Sequence, residues 1–72
     1  MPSLPVLSGQ EIIRILERLG YVRVRQRGSH VVMRRDSSGC VVPLHNEVKA
    51  GTLGGILRQA GLTADIFIAA IR

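Results

Sequence analysis

Tyr21-Val22-Arg23-Val24-Arg25-Gln26-Arg27-Gly28-Ser29-His30-Val31-Val32-Met33-Arg34-Arg35 is the stretch that decides the fold. Its first five residues alternate strictly, much of His30 to Arg35 does the same, and Arg27-Gly28 supplies a turn between them. Asp36-Ser37-Ser38-Gly39 supplies a second turn before the β-rich Cys40-Val41-Val42-Pro43-Leu44. Connections this short imply an antiparallel meander of three strands.

Helical signals flank the meander on both sides. Ser8-Gly9-Gln10-Glu11 reads as a capping box, with Leu7 and Ile12 placed to form a hydrophobic staple. Ile12, Ile15, Leu16 and Leu19 recur at helical spacing, and Gly20 suits the left-handed position that ends a helix, with Tyr21 free to pack on Leu16. Residues 1–7 read as an extended arm, since Pro2 and Pro5 oppose helix. Beyond the loop His45–Gly51, Thr52 is expected to cap a second helix with a stripe of Leu53, Ile56, Leu57 and Ala60, ended by Gly61. Thr63 is expected to cap a last helical turn or two, with Leu62 and Phe67 as its staple. The expected class is α+β, in the order α-β-β-β-α-α. A three-stranded antiparallel sheet carries the helices on one face, and residues 1–72 form one domain.

Burial suggests a register. Pairing Gln26 with Ser29 and Arg35 with Cys40 gathers Val22, Val24, Val31, Met33, Val42 and Leu44 on one apolar face, and a slip of one residue in the second hairpin breaks it. The other face then holds Tyr21, Arg23, Arg25, His30, Val32, Arg34, Val41 and His45, with the two histidines directly opposite each other.

Composition bounds the partners. The chain has 72 residues, of which 46% are hydrophobic, which is enough for a folded core. A single cysteine excludes an intramolecular disulfide framework. No apolar run approaches the roughly 20 residues that span a bilayer, and the first residues carry no secretory signal pattern. A small soluble cytoplasmic protein is the expectation. Ten basic residues oppose five acidic ones, and nine of the ten are Arg. The planar guanidinium grips phosphate bidentately, so a polyanion such as RNA is the expected partner. Five of the basic residues (Arg23, Arg25, Arg27, Arg34 and Arg35) fall between positions 21 and 35 with no acid among them. Tyr21 and Phe67 are the only aromatics, so binding should lean on phosphates and RNA shape rather than on stacked bases.

Metal chemistry finds little support. Cys40 and His45 lie roughly 16 Å apart along an extended strand and face opposite ways, which also excludes a Cys-His nucleophilic pair. The five acids show no arrangement for a two-metal nuclease. Acid–base work by histidine remains. RNA carries its own nucleophile, the 2′-hydroxyl, so cleavage needs only a base, an acid and positive charge at the phosphorus.

Gly28-Ser29-His30 opening a strand, Pro43-Leu44-His45, Lys49-Ala50-Gly51-Thr52-Leu53, Ile56-Leu57-Arg58-Gln59-Ala60-Gly61-Leu62 and Phe67, in this order and spacing, resemble the HicA (YcfA-like) toxin family. The resemblance runs from Ser8 to Phe67. It implies a double-stranded-RNA-binding-like fold and mRNA interferase activity in a type II toxin–antitoxin module, neutralised by a HicB antitoxin. The histidine of the family's Gly-Ser-His motif, its catalytic residue, maps onto His30, and the later Pro-x-His histidine maps onto His45. The chain departs from the family at Gly54-Gly55, where longer polar residues are common, and this pair leaves α-helix there prone to fray or to pack closely. Its arm is also longer than in the shortest members.

The expectation is therefore a metal-independent endoribonuclease without cofactor. His30 would be catalytic and His45 would assist, while Arg23, Arg25, Arg27, Arg34 and Lys49 bind RNA. The expected partners are mRNA and a HicB-like antitoxin. A non-catalytic RNA-binding module, or a degenerate toxin kept only as its antitoxin's partner, stays open as an alternative.

Overall fold

The helix that opens the fold is specified by its own ends. In the computed structural model, which describes residues 3–71, α1 spans Gly9–Arg18. Pro2 of the expected arm lies outside the described residues. The Ser8 hydroxyl accepts from the Glu11 amide at 3.1 Å, and the Glu11 carboxylate accepts from the Ser8 amide at 2.9 Å, so both arms of the capping box form. At the other end Gly20 adopts φ +93°, its amide donates to Glu17, and the Tyr21 amide donates to Leu16. Those two bonds satisfy carbonyls that the helix end leaves unpaired.

Strands β1 (Val22–Arg27), β2 (His30–Arg35) and β3 (Ser38–Pro43) form one antiparallel sheet in the order β1-β2-β3. Helices α2 (Ala50–Ala60) and α3 (Ala64–Ala69) follow, completing the expected α+β order. Val31, Met33, Cys40 and Val42 are buried on the helix side of the sheet, against Ile12, Ile13 and Leu16 of α1, Leu53, Ile56 and Leu57 of α2, and Phe67 of α3. Thr63 caps α3 as expected, its hydroxyl accepting from the Ile66 amide.

Both hairpin registers differ from the expected ones. In the first, Arg27 pairs with His30 across Gly28-Ser29, where the expectation was Gln26 with Ser29 across Arg27-Gly28. Gly28 takes φ +56°, which suits the first position of a two-residue hairpin loop and is strained for other residues. A bulge between Arg23 and Arg25 shifts the ladder again, so Val22 pairs with Arg34 and Arg23 with Met33. Val22 and Val24, expected in the core, are 58% and 50% exposed. The bulge turns Val22 to the outer face opposite Arg34 and leaves Val24 without a cross-strand partner, and the helices pack mainly on β3, so all of β1 stays exposed.

In the second hairpin Arg35 pairs with Ser38 across Asp36-Ser37, not with Cys40. Asp36 sits at φ +54°, a conformation its short polar side chain tolerates. The shift is two residues, so the faces of β3 are unchanged while every partner moves. Val31 faces Val42, and Met33 faces Cys40. Leu44 remains partly buried against the core, as expected.

Tyr21 follows its helix-end role and leaves the outer face. It is buried, its hydroxyl donates to the Ala60 carbonyl at 2.7 Å, and the Arg35 guanidinium lies 4.7 Å from its ring centre. Helix α2 also begins earlier than expected, with Lys49 rather than Thr52 at the cap and no side-chain capping bond. The arm explains the early start. The Val48 amide donates to the Leu7 carbonyl at 2.7 Å in an isolated bridge, which holds the chain extended up to Lys49, where the helix can begin. Leu4 and Leu7 of the arm pack on the core.

Candidate functional site

The sheet face turned away from the helices carries the candidate site. Residues of β2 alternate between faces, so His30, Val32 and Arg34 share the outer face while Val31 and Met33 enter the core. Cross-strand partners share a face, which places Arg27 beside His30, Arg25 beside Val32 and Val22 beside Arg34. From β3, Pro43 lies beside His30, Val41 beside Val32 and Gly39 beside Arg34. The structure thus brings together His30, Arg25, Arg27 and Arg34, all exposed. Opposite residues in such a ladder have Cβ atoms about 4.5–5.5 Å apart, so the Arg27 and His30 side chains leave the sheet side by side.

The remaining expected residues do not join this group. Arg23 pairs with Met33 and therefore belongs to the helix side of β1, although it stays exposed. Arg35, counted in the basic cluster, donates to the Leu19 carbonyl at 2.6 Å and ties β2 to the end of α1. His45 does not face His30. Pro43 occupies that position, and His45 follows two residues beyond the end of β3, exposed. Its carbonyl accepts from the Gly9 amide at 2.9 Å. Lys49 caps α2, outside the sheet.

The electrostatics of the face come from Arg alone. Glu11, Glu17, Asp36, Glu47 and Asp65 all lie outside the three strands, so no carboxylate on the sheet competes with an incoming phosphate. The Glu11 carboxyl is held below its usual range by the Ser8 backbone and side-chain hydrogen bonds, as a capping group rather than a proton carrier. Burial pushes the Cys40 thiol up to about 11, which keeps it neutral and unreactive on the core side. Among the described residues, no three His, Cys, Asp or Glu side chains gather as a metal site would require. Among the same residues no helix is long and apolar enough to cross a membrane.

Two residues important to this face were not singled out from the sequence. Gly9 begins α1 directly against the segment after β3, where an added Cβ would stand 2.0 Å from the Pro43 carbonyl oxygen. A glycine at the first helical position, where better helix formers are common, was the available signal. Gln59 of α2 reaches the free edge of β3, its Oε1 accepting from the Val41 amide at 3.1 Å. No spacing rule in the sequence announces that contact.

Comparison with curated proteins gives no match to this chain. A family model described as the HicA toxin of bacterial toxin–antitoxin matches residues 9–62, from the first residue of α1 to the residue after Gly61. The matched stretch contains all three strands and the outer face built on them, so the chain belongs to the HicA toxin family, the toxin half of a toxin–antitoxin module whose partner is an antitoxin.

Proposed function

We propose that this protein is a metal-independent endoribonuclease that cleaves mRNA, with His30 as its catalytic residue. The observation that carries the reading is His30 exposed beside Arg27, on a face that adds Arg25 and Arg34 and no acid. Membership of a family whose toxins are generally ribonucleases supports it.

In the proposed reaction the RNA 2′-hydroxyl loses its proton and its oxygen attacks the adjacent phosphorus. The P–O5′ bond breaks, the leaving 5′-oxygen takes up a proton, and a 2′,3′-cyclic phosphate and a 5′-hydroxyl result. Arg27 and Arg25 neutralise charge that grows on the phosphoryl oxygens, an electrostatic contribution that donors fixed in place make efficiently. His30 carries one of the two proton transfers and water the other. His45, displaced from the sheet, acts on substrate placement rather than as the second proton carrier. Arg34 extends the RNA-binding face along β2, and Arg23 and Lys49 give weaker contacts from outside the face. The antitoxin is HicB-like, and the toxin acts in the cytoplasm, where mRNA is met.

Inducing the wild type in a bacterial host without antitoxin tests this function. Growth arrest with fragmentation of mRNA, both absent in the His30→Ala strain at equal protein level, is the expected result. Growth arrest with intact mRNA overturns the ribonuclease assignment and leaves a non-catalytic toxin.

A further inference from the structure

A groove of about 430 Å³ opens where β2 and β3 meet the end of α2. Val32 and Val41, direct cross-strand partners on the outer face, give it one apolar strip, with Val41 37% exposed, beside the polar Arg34, Ser37 and Ser38. Gly39 faces Arg34 across the strands, and an added Cβ there would stand 3.3 Å from Arg34 Cγ and 3.4 Å from its Nη1. The Arg34 side chain therefore lies over the space that Gly39 leaves empty. Gln59 lines the same groove. Only its oxygen can accept from the Val41 amide, which fixes the orientation of the side-chain amide. Among the described residues its Nε2 bonds to no protein atom.

We propose that this groove is a subsite for one base of single-stranded RNA, next to the nucleotide whose phosphate is cut at His30. The inference rests on the RNA-cleaving reading of the same face. Four strand residues separate His30 from Arg34, about 13 Å, so the base belongs to a flanking nucleotide. It lies on the Val32–Val41 pair, with the Arg34 guanidinium plane against its ring, a contact that every base offers. Discrimination comes from Gln59. Its oxygen is engaged, so its amino group only donates, and it favours uracil, with two exocyclic carbonyl oxygens, over adenine, whose N1 and N7 acceptors sit beside a 6-amino donor that this amide cannot satisfy. An acidic protein segment would engage Arg34 but offers no flat ring to lie on the Val32–Val41 pair.

Hexanucleotides with 2′-deoxy sugars, all-uracil and all-adenine, test the subsite without cleavage. Binding is followed by fluorescence anisotropy and by the ¹⁵N-edited signal of the Gln59 side-chain amide. The wild type is expected to bind the uracil oligomer more tightly and to shift the Gln59 signal. Gln59→Glu still accepts from the Val41 amide and so keeps the fold, but loses the donor and adds a charge. It should lose the preference and bind the uracil oligomer about tenfold more weakly, the scale of one good base contact. Gly39→Ala, which crowds Arg34, should weaken both oligomers. Equal base preference in wild type and Gln59→Glu overturns the proposal, as does a Gln59 signal that stays still with either oligomer. A glutamate hexapeptide that shifts the signal as strongly overturns it too, and assigns the groove to an acidic protein partner. The two readings fail separately. Base-selective binding without cleavage of the ribose form removes only the role of His30, and cleavage with an unresponsive groove removes only the subsite.

Discussion

The Gly9 amide donates to the carbonyl of His45 at 2.9 Å, so the second histidine is anchored to the first turn of α1 and not to the sheet. This contact requires the helix to start against the backbone that follows β3, closer than any side chain allows. It separates the two histidines of the family pattern into different settings, one on a flat basic face and one on a loop.

Gly9→Ala should therefore destabilise the protein. A methyl group at this position meets the Pro43 carbonyl oxygen at 2.0 Å and the Leu44 Cα at 2.9 Å, and backbone cannot turn aside as a side chain does. Helix propensity alone would make alanine better than glycine by about 0.5–1 kcal/mol. Overpacking should win and give a net loss of about 3 kcal/mol in urea unfolding. A variant as stable as the wild type would mean that α1 stands further from the Pro43–His45 segment.

Gly55→Ala should do the opposite. Its methyl would meet only the tip of the Arg58 side chain, at 3.7 Å, which is ordinary contact with a flexible group. The neighbouring Gly54 is similar, with Arg58 Nη1 at 3.5 Å and Leu4 Cδ1 at 3.9 Å from an added Cβ, so the glycine pair serves no close backbone packing. The expected gain is about 0.5–1 kcal/mol, read as a higher thermal midpoint. A loss would show that α2 needs the pair for a reason absent from these contacts.

The expected and observed folds differ where the deciding signal is not local. Ser8, Glu11, Gly20 and Tyr21 specify α1 through bonds within a few residues, and all of them form. The first hairpin offers two turns, Arg27-Gly28 and Gly28-Ser29, and the pattern selects the first only if the valines of β1 are buried. They are not, because the bulge between Arg23 and Arg25 turns Val22 to the outer face and leaves Val24 unpaired, while the helices pack mainly on β3. In the second hairpin a slip of two residues preserves the faces, so the burial argument places Val31, Met33, Cys40 and Val42 on the core side and still mispairs His30 with His45. Periodicity locates His30, Arg25 and Arg34 on one face. It cannot locate Gln59, whose contact depends on how α2 packs.

The first-hairpin register has a direct consequence for RNA binding. Arg25 and Arg27 share the face of His30, and Arg23 lies on the other side of β1. Replacing Arg25 and Arg27 together with alanine should weaken binding of single-stranded RNA and flatten the slope of log K against log salt by about 1.4, the release expected for two lost phosphate contacts. Arg23→Ala should change the slope much less. Equal effects from Arg23 and Arg25 replaced singly would restore the register without the bulge.

Cys40 gives a pH dependence with a definite sign. Its thiol is raised from 9.0 to about 11 by burial, so the unfolded chain ionises first as the pH climbs. The contribution of the neutral buried thiol is complete below pH 9 and is lost as the pH rises through about 11. Unfolding free energies measured across that range should fall in the wild type more steeply than in Cys40→Val. Parallel curves for the two proteins would show that the thiol ionises as readily folded as unfolded.

Cleavage of a single-stranded mRNA fragment by purified protein, with a metal chelator present, tests the role of His30 most directly. The wild type should cut the fragment to products ending in 2′,3′-cyclic phosphate, and replacing the 2′-hydroxyl at the cut site with hydrogen should stop the reaction. His30→Ala changes an exposed side chain, so it should keep the wild-type circular dichroism spectrum and most of the RNA affinity, while its cleavage rate drops at least about a hundredfold, the scale of one lost acid–base group. His45→Ala should cost far less. A folded His30→Ala protein that cuts the same fragment at the wild-type rate would contradict the assignment.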